Sequence, residues 1–199
     1  MALKREACVG GKHSKLRLTV LLCCNMSGNH KLRPLVIGKS KNPRCFKNAR
    51  SLPCPYESSK RAWITRDLFA KWVVEFNRTM ASNGRRVALL VDNCSAHMVN
   101  LQLSNVKLEF MPAKCTSVLQ PLDQRIIRNF KRQYQKFLLQ ERLLMIDSER
   151  HETIDVRKAI GMIAQAWREI SKYTIEHCWQ HPGIRNTVTE NETNNQERV

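Results

Sequence analysis

Paired cysteines and long apolar runs are both missing from this sequence. Its eight cysteines include no Cys-x-x-Cys pair, which is the spacing used by zinc ribbons and dithiol redox sites. No run reaches the roughly 18 apolar residues of a membrane span, and the first residues carry no apolar signal-peptide core. These absences argue against a zinc-ribbon, secreted or membrane-spanning protein. We expect reduced thiols, most of them buried, in an intracellular protein.

Acidic residues are scarce as well. The 199-residue chain has 34 Lys and Arg residues against 17 Asp and Glu residues, which gives a formal net charge of +17. A surface with this excess attracts polyanions, because binding releases their condensed counterions. Contact with an acidic membrane more usually requires a basic amphipathic helix or a lipid anchor. The composition therefore favours nucleic acid over a membrane as the partner, with solvated charge as the alternative.

Hydrophobic periodicity predicts a single α/β domain. Two apolar, β-branched runs flank a turn that contains Gly28, which predicts a hairpin. A later run, RVALLV, is uniformly apolar, and we expect a strand covered on both faces there. The predicted strands are 16–25, 32–38, 85–91 and 106–110, and the predicted helices are 64–80, a long one from 121 onward, and 153–178 with a break near 171.

The long helix that begins near Pro121 has two different faces. At about 100° per residue, Phe130, Tyr134 and Phe137 share a packing face, while four cations share the opposite one. Further cations lie around the aperiodic, exposed segment that follows residue 38. We predict that both sets contact nucleic acid: Arg125, Arg128, Arg132 and Lys136 on the helix, and Arg33, Lys39, Lys41, Arg44 and Lys47 around the segment.

Two aspartates occupy the ends of predicted elements. Asp92 directly follows the 85–91 strand, and Asp123 lies in the first turn of the long helix, on its packing face. Carboxylates placed in this way suggest a shared divalent metal, since Mg²⁺ prefers oxygen ligands. The alternative for Asp123 is a favourable interaction with the helix dipole.

Four segments resemble a known family. GGKHSKLRLTVLLCCNMSG, KLRPLVIGKSKNPRCFKN, LLVDNCSAH and VKLEFMPAKCTSVLQPLDQRIIRNFKRQY are similar to the DDE endonuclease domain of the pogo and Tigger transposases and their Tigger-derived, jerky-like and centromere protein B-like relatives. The resemblance covers about residues 3–182. It implies an RNase H-like mixed sheet flanked by helices, with a C-terminal helical appendage and a polar tail at 183–199.

The resemblance also implies a metal site. In this family three aspartates hold two Mg²⁺ ions that clamp the attacking and leaving oxygens during DNA cleavage and strand transfer. Asp92 matches the second acid and Asp123 the third, and the resemblance gives supporting positions to Asn93, His97, Gln120 and Gln124. The first acid and its central strand have no counterpart in the sequence. We therefore expect a domain that lacks its first strand and binds Mg²⁺ weakly.

Three functions follow as alternatives. The first is DNA binding in the nucleus by a catalytically inactive domain. The second is a Mg²⁺-dependent endonuclease or strand transferase in which Glu6, or an acid from a second chain, supplies the third ligand. The third is a protein-interaction module or an unstable gene remnant that self-associates through an exposed sheet edge.

Overall fold

A computed structural model describes residues 17–111, 125–148 and 153–180. Within them the chain forms a mixed α/β architecture, and none of the described helices could span a membrane. The predicted tail at 183–199 lies outside the described residues. The strands are β1 (Thr19–Leu21), β2 (Leu35–Gly38), β3 (Tyr56–Ser58), β4 (Val87–Val91) and β5 (Val106–Phe110), and the helices are α1 (Arg66–Ser82), α2 (Ile127–Asp147), α3 (Val156–Arg168) and α4 (Lys172–Gln180).

The strands form two separate sheets. β1 and β2 are antiparallel, with Val20 opposite Val36, and β3 adds to β2 in parallel. β4 and β5 are a parallel pair, with Leu89 opposite Leu108. Among the residues that the structure describes, no strand links the two sheets. One edge of β1 and one edge of β4 therefore present backbone N–H and C=O groups without a partner strand.

The predicted hairpin is confirmed, and its turn requires glycine. Gly28 has φ +65°, a conformation that residues with a Cβ rarely adopt. A Cβ at this position would also lie 2.9 Å from the Cα of Lys172, so the turn packs directly on the start of α4. The hairpin and the C-terminal helices are thus in backbone contact.

The segment after β2 contains structure that the sequence did not predict. A short 3₁₀ helix covers Arg44–Phe46, and β3 follows it. The Phe46 and Tyr56 rings meet edge to face with centroids 4.8 Å apart, and the Tyr56 hydroxyl donates to the Ser40 carbonyl at 2.7 Å. These elements are too short to show a period, so tertiary contacts rather than local pattern define them.

The C-terminal helices are integral to the main core. The prediction of an appendage is therefore wrong in its packing, although the helices and their break at Ser171 are where we expected them. α3 has a continuous apolar stripe, which is buried against β2 and α2. The main cluster consists of Val36, Cys54, Ile126, Phe130, Ile160, Ile163, Ala164, Ala166, Trp167, Ile170, Ile175, Cys178 and Trp179.

A second, smaller core lies beneath β4 and β5. Phe69 and Val73 of α1 pack with Val91, and partly buried residues including Trp72 and Leu108 surround them. The expectation that β4 is covered on both faces is confirmed in part. Leu89 and Val91 pack on the smaller core and Leu90 packs on the main core, but Val91 is the one fully buried residue of the strand and Ala88 is exposed. Within the described ranges, β5 is the one strand that pairs with β4.

The expectation of buried, reduced thiols holds for part of the chain. The six cysteines in the described ranges are free, and Cys54 and Cys178 are buried, whereas Cys94 is exposed. Burial raises the pKa of Cys23 to about 12 and that of Cys24 to about 11. Both thiols of the hairpin therefore stay protonated at neutral pH, as inert core groups do.

Lys31 ties the hairpin to the end of α3. Its ammonium donates to the carbonyls of Trp167 (3.0 Å), Arg168 (3.1 Å) and Ile170 (2.7 Å), and it lies 5.6 Å from the centre of the Trp167 ring. An ammonium has three donors, and all three are used on carbonyls at and just after the C-terminus of α3. The Trp167 indole in turn donates to the Leu32 carbonyl at 2.8 Å.

We predict that Lys31→Met lowers the free energy of unfolding by about 2 kcal/mol, because it removes charge-assisted hydrogen bonds at a helix C-terminus and keeps the apolar stem. Urea denaturation followed by circular dichroism measures the change. Lys39→Met is the matched control on the same hairpin, where the side chain is exposed and we expect a change within about 0.5 kcal/mol. Equal effects of the two substitutions would contradict this account.

Candidate functional site

Asp92 leaves the sheet at the carboxyl end of β4. The parallel pairing with β5 brings both strand ends to the same edge, where the Met111 amide donates to the Val91 carbonyl at 3.0 Å. The Asp92 side chain is about one-third exposed, at 32%. Loops at the carboxyl ends of parallel strands are frequent ligand sites, since a rigid sheet holds their side chains.

The residues after Asp92 form a tight turn around its carboxylate. Asp92 Oδ1 accepts from the Cys94 amide at 3.2 Å, and the His97 amide donates to the Cys94 carbonyl at 2.8 Å. Asn93 Nδ2 donates to the Met111 carbonyl at 2.5 Å and so connects the turn to the end of β5. An aspartate that accepts a hydrogen bond from the backbone two residues on is a common way to fix such a turn.

His97 lies behind Asp92. Its Nδ1 atom is 2.5 Å from Asp92 Oδ1, and its ring packs on Phe69 with centroids 4.4 Å apart. The side chain is 14% exposed, and Nδ1 makes no hydrogen bond of normal geometry within the part of the chain that the structure describes. We therefore treat the contact with Asp92 as electrostatic. His97 is placed to orient Asp92 and to close the turn over α1.

The described residues do not complete a metal site. Across 17–111, 125–148 and 153–180, no group of three or more His, Cys, Asp or Glu side chains could hold a metal ion. Asp123, Gln120 and Gln124, which were predicted at this site, lie outside the described residues. Asp92 Oδ1 is already engaged by Cys94 and His97. Asp92 alone does not fit Mg²⁺, which requires several well-placed oxygens.

The cations predicted on the long helix share its outer face. Arg125, Arg128, Arg132 and Lys136 are all exposed, while Phe130 is buried in the main core. Tyr134 and Phe137 pack against the same core as partly buried side chains. The two predicted faces of this helix are therefore confirmed.

The second predicted set of cations surrounds β2 as exposed side chains. Arg33 and Lys41 line one shallow cavity, together with Phe46 and Tyr56. Arg44 lines another with Tyr134 and Arg142 of α2. Arg33, Lys39, Lys41, Arg44 and Lys47 are all exposed. Through Arg44, this set of cations lies beside α2.

These observations allow a comparison with known proteins. A family model described as "DDE superfamily endonuclease" matches residues 15–179. The chain belongs to this family. The DDE chain is 34% identical to Tigger transposable element-derived protein 4 of Mus musculus, over 98% of its own length and 38% of that protein. It is 35% identical to the Jerky protein homolog of Homo sapiens, over 86% and 32% of the two lengths.

A third relative of the DDE chain is the major centromere autoantigen B of Homo sapiens, with 29% identity over 84% of this chain and 28% of that protein. The DDE chain spans less than two-fifths of the length of these relatives. No solved structure matches it. The resemblance to the Tigger-derived, jerky-like and centromere protein B-like proteins is confirmed.

Sequence reasoning missed several cations of the DDE chain that stand beside the predicted ones. Lys131 lines a shallow cavity with Arg128 and Arg132 of α2. Its spacing of three residues from Arg128 places it on an adjacent part of the helix surface, which the helical period could have indicated. Arg17, Lys60 and Arg61 meet Lys39 around one cavity, although they come from different segments. No sequence pattern indicates that second grouping.

Proposed function

We propose that this DDE domain binds DNA through its exposed cations and does not cleave it, and that it acts in the nucleus. The observation that carries the proposal is a contrast within one structure. The outer face of α2 has a complete row of exposed cations, whereas the described residues at the end of β4 supply a single carboxylate.

The row of cations on α2 suits the backbone of a nucleic acid. Arg128, Arg132 and Lys136 follow one another at four-residue spacing, about 6 Å apart along the helix axis. No ion pair with an acid of the described residues holds any of them, whereas Lys71, Arg78 and Lys107 elsewhere are paired with glutamates. Unpaired arginines and lysines bind phosphates without reading base sequence.

The arrangement of the sheets supports an RNase H-like domain whose central strand is not among the described residues. The order β3-β2-β1 ends at an open edge, and β4-β5 begins with another. Leu18 and Val20 of the hairpin segment and Leu90 of β4 pack against the same main core, so both open edges belong to one hydrophobic unit. A strand paired with β1 and β4 would join the two sheets, and its end would carry the missing first acid.

Without the first acid, Asp92 and Asp123 would supply too few metal ligands for catalysis. Bound Mg²⁺ would supply charge stabilisation for the attacking and leaving oxygens of a phosphodiester. Asp92 would hold such an ion through Oδ2, since Cys94 and His97 engage Oδ1, and Asp123 would be its second ligand. Two carboxylates leave most of an octahedral shell to water, and we propose that binding is correspondingly weak.

We predict that Arg128→Gln, Arg132→Gln and Lys136→Gln together weaken binding to a short DNA duplex. Fluorescence anisotropy at several salt concentrations is the measurement. The slope of log K against log salt should become shallower by about 2 to 3, because each lost phosphate contact accounts for about 0.9.

The matched control for this test is Lys71→Gln, Arg78→Gln and Lys107→Gln. It removes the same charge from residues that are paired with Glu57, Glu75 and Glu109. We expect its slope to stay within about 1 of the unmodified protein. Equal losses in the two triple variants would show that net charge alone matters, and absence of DNA binding at low salt would contradict the proposed function.

We predict that supercoiled plasmid stays intact with this protein in Mg²⁺ or Mn²⁺, since the described metal ligands are incomplete. Gel electrophoresis after prolonged incubation measures nicking. The alternative, in which Glu6 or an acid from a second chain completes the site, predicts nicking that Asp92→Ala abolishes. Glu6→Ala should abolish it as well if Glu6 is the third ligand. Nicking that depends on Asp92 would overturn the proposed inactivity.

The open sheet edges favour self-association as a second candidate function. We predict that sedimentation velocity shows concentration-dependent oligomers, because unpaired strand edges pair with other chains. Ala88→Lys places a charge on the exposed surface of β4 and should shift the distribution to monomer. Val74→Lys, an exposed valine on α1, is the control for added charge and should not. A monomer at all concentrations would remove this candidate.

A further inference from the structure

A cavity of about 890 Å³ opens beside the end of β2, and neither Asp92 nor the row of cations on α2 lines it. The segment before β1, the end of β2 and a turn at 59–63 form its walls. Its polar and aromatic lining consists of Arg17, Lys39, Ser40, Tyr56, Lys60, Arg61 and Trp63. Cations and aromatic rings therefore meet in one concave surface.

The turn that carries Trp63 is fixed by hydrogen bonds. The Ser59 amide donates to the Gly38 carbonyl at 3.0 Å, and the Ser59 hydroxyl donates to the Trp63 carbonyl at 2.6 Å and accepts from the Trp63 amide at 2.9 Å. Ala62 is 1% exposed and has φ +56°, an unusual conformation for a residue with a Cβ. The backbone at Trp63 is therefore held in place against the sheet.

Trp63 itself is not part of the core. Its side chain is 54% exposed, although Ala62 beside it is fully buried. A tryptophan exposes a large apolar ring to water, which is unfavourable unless another molecule covers it. A rigid turn that holds such a ring at the rim of a cavity is well suited to stacking against a planar ligand, because little freedom is lost on binding.

The charges around the cavity define the ligand further. Arg17, Lys39, Lys60 and Arg61 are exposed and make no ion pair with an acid of the residues described. Glu57, on the neighbouring strand β3, is 2.5 Å from Lys71 and so is already neutralised. The surface around Trp63 is thus positive, which favours a ligand that combines planar groups with several negative charges.

We propose that this cavity binds unpaired DNA, with the Trp63 ring stacked on a base and Lys39, Lys60 and Arg61 in contact with the flanking phosphates. The proposal rests on the DNA binding proposed above and adds a second site with a different preference. In a duplex the faces of the bases are covered by their neighbours, so a stacking surface of this kind selects a strand whose bases are free. Among the described residues, no aromatic ring lines the cavity beside Arg128 and Arg132 of α2, so that row would contact the DNA backbone alone.

The test compares two single strands of about 20 nucleotides, an oligothymidylate and an abasic strand with the same phosphates. The unmodified protein should bind the oligothymidylate more tightly than the abasic strand, by about 5-fold to 150-fold, which is the usual effect of one stacked base. In Trp63→Ala the difference between the strands should disappear, while affinity for the abasic strand and for a duplex stays within about twofold.

Two further variants complete the design. Tyr173→Ala removes an even more exposed ring on α4 and should preserve the preference for bases. Lys60→Gln with Arg61→Gln should weaken binding of both single strands, because it removes phosphate contacts rather than stacking. Circular dichroism melts establish that each variant is folded, and Trp63→Phe should retain most of the preference since phenylalanine also stacks.

The outcomes separate this inference from the proposed function. Duplex binding with no preference for oligothymidylate over the abasic strand would overturn the inference and leave the proposed function intact. A preference that persists in Trp63→Ala would do the same. If the unmodified protein binds neither single strands nor duplex at low salt, the proposed function fails, and the inference fails with it.

Discussion

The indole of Trp167 connects three elements that are far apart in sequence. It donates to the Leu32 carbonyl, lies beneath the ammonium of Lys31, and meets the Phe130 ring edge to face at 6.3 Å. Through these contacts α3 holds both the N-terminal hairpin and the inner face of α2. Because Phe130 fixes the inner face of α2, the cations at the opposite azimuth are directed to solvent. The basic surface is thus a consequence of how this core packs.

The end of β4 that carries Asp92 rests on the smaller core, whereas α2 packs on the main core. Asp92 is held by its own turn, through Cys94, His97 and the hydrogen bond from Asn93 to Met111. That turn is anchored on β4 and β5, a two-stranded sheet over the smaller core. A metal site of this family needs ligands from several elements held in strict geometry, whereas phosphate binding needs exposed charge with little geometric demand. The two capacities therefore place different demands on the arrangement of the sheet.

The sequence predicted those features that depend on local period. Four features follow from spacing: the hairpin turn at Gly28, helix α1, the break at Ser171 and the two faces of α2. It did not predict β3 or the turn at 59–63, because both are too short to show a hydrophobic period. Contacts with other segments define them instead: the Ser59 amide donates to the Gly38 carbonyl, and the Tyr56 hydroxyl donates to the Ser40 carbonyl. The partial exposure of β4 was also missed, because an apolar run indicates what a strand could bury and not which neighbours are present.

We propose that DNA binding by this domain depends on fixed positive charge and needs no metal. The direct measurement is the affinity for a DNA duplex at constant ionic strength, once with a chelator and once with millimolar Mg²⁺, for the unmodified protein and for Asp92→Asn. We expect the four affinities to agree within about twofold, since phosphate contacts through arginine and lysine require no divalent ion. A gain of tenfold or more on adding Mg²⁺ that Asp92→Asn abolishes would contradict the account, because it would show a metal held at Asp92 and engaged with DNA.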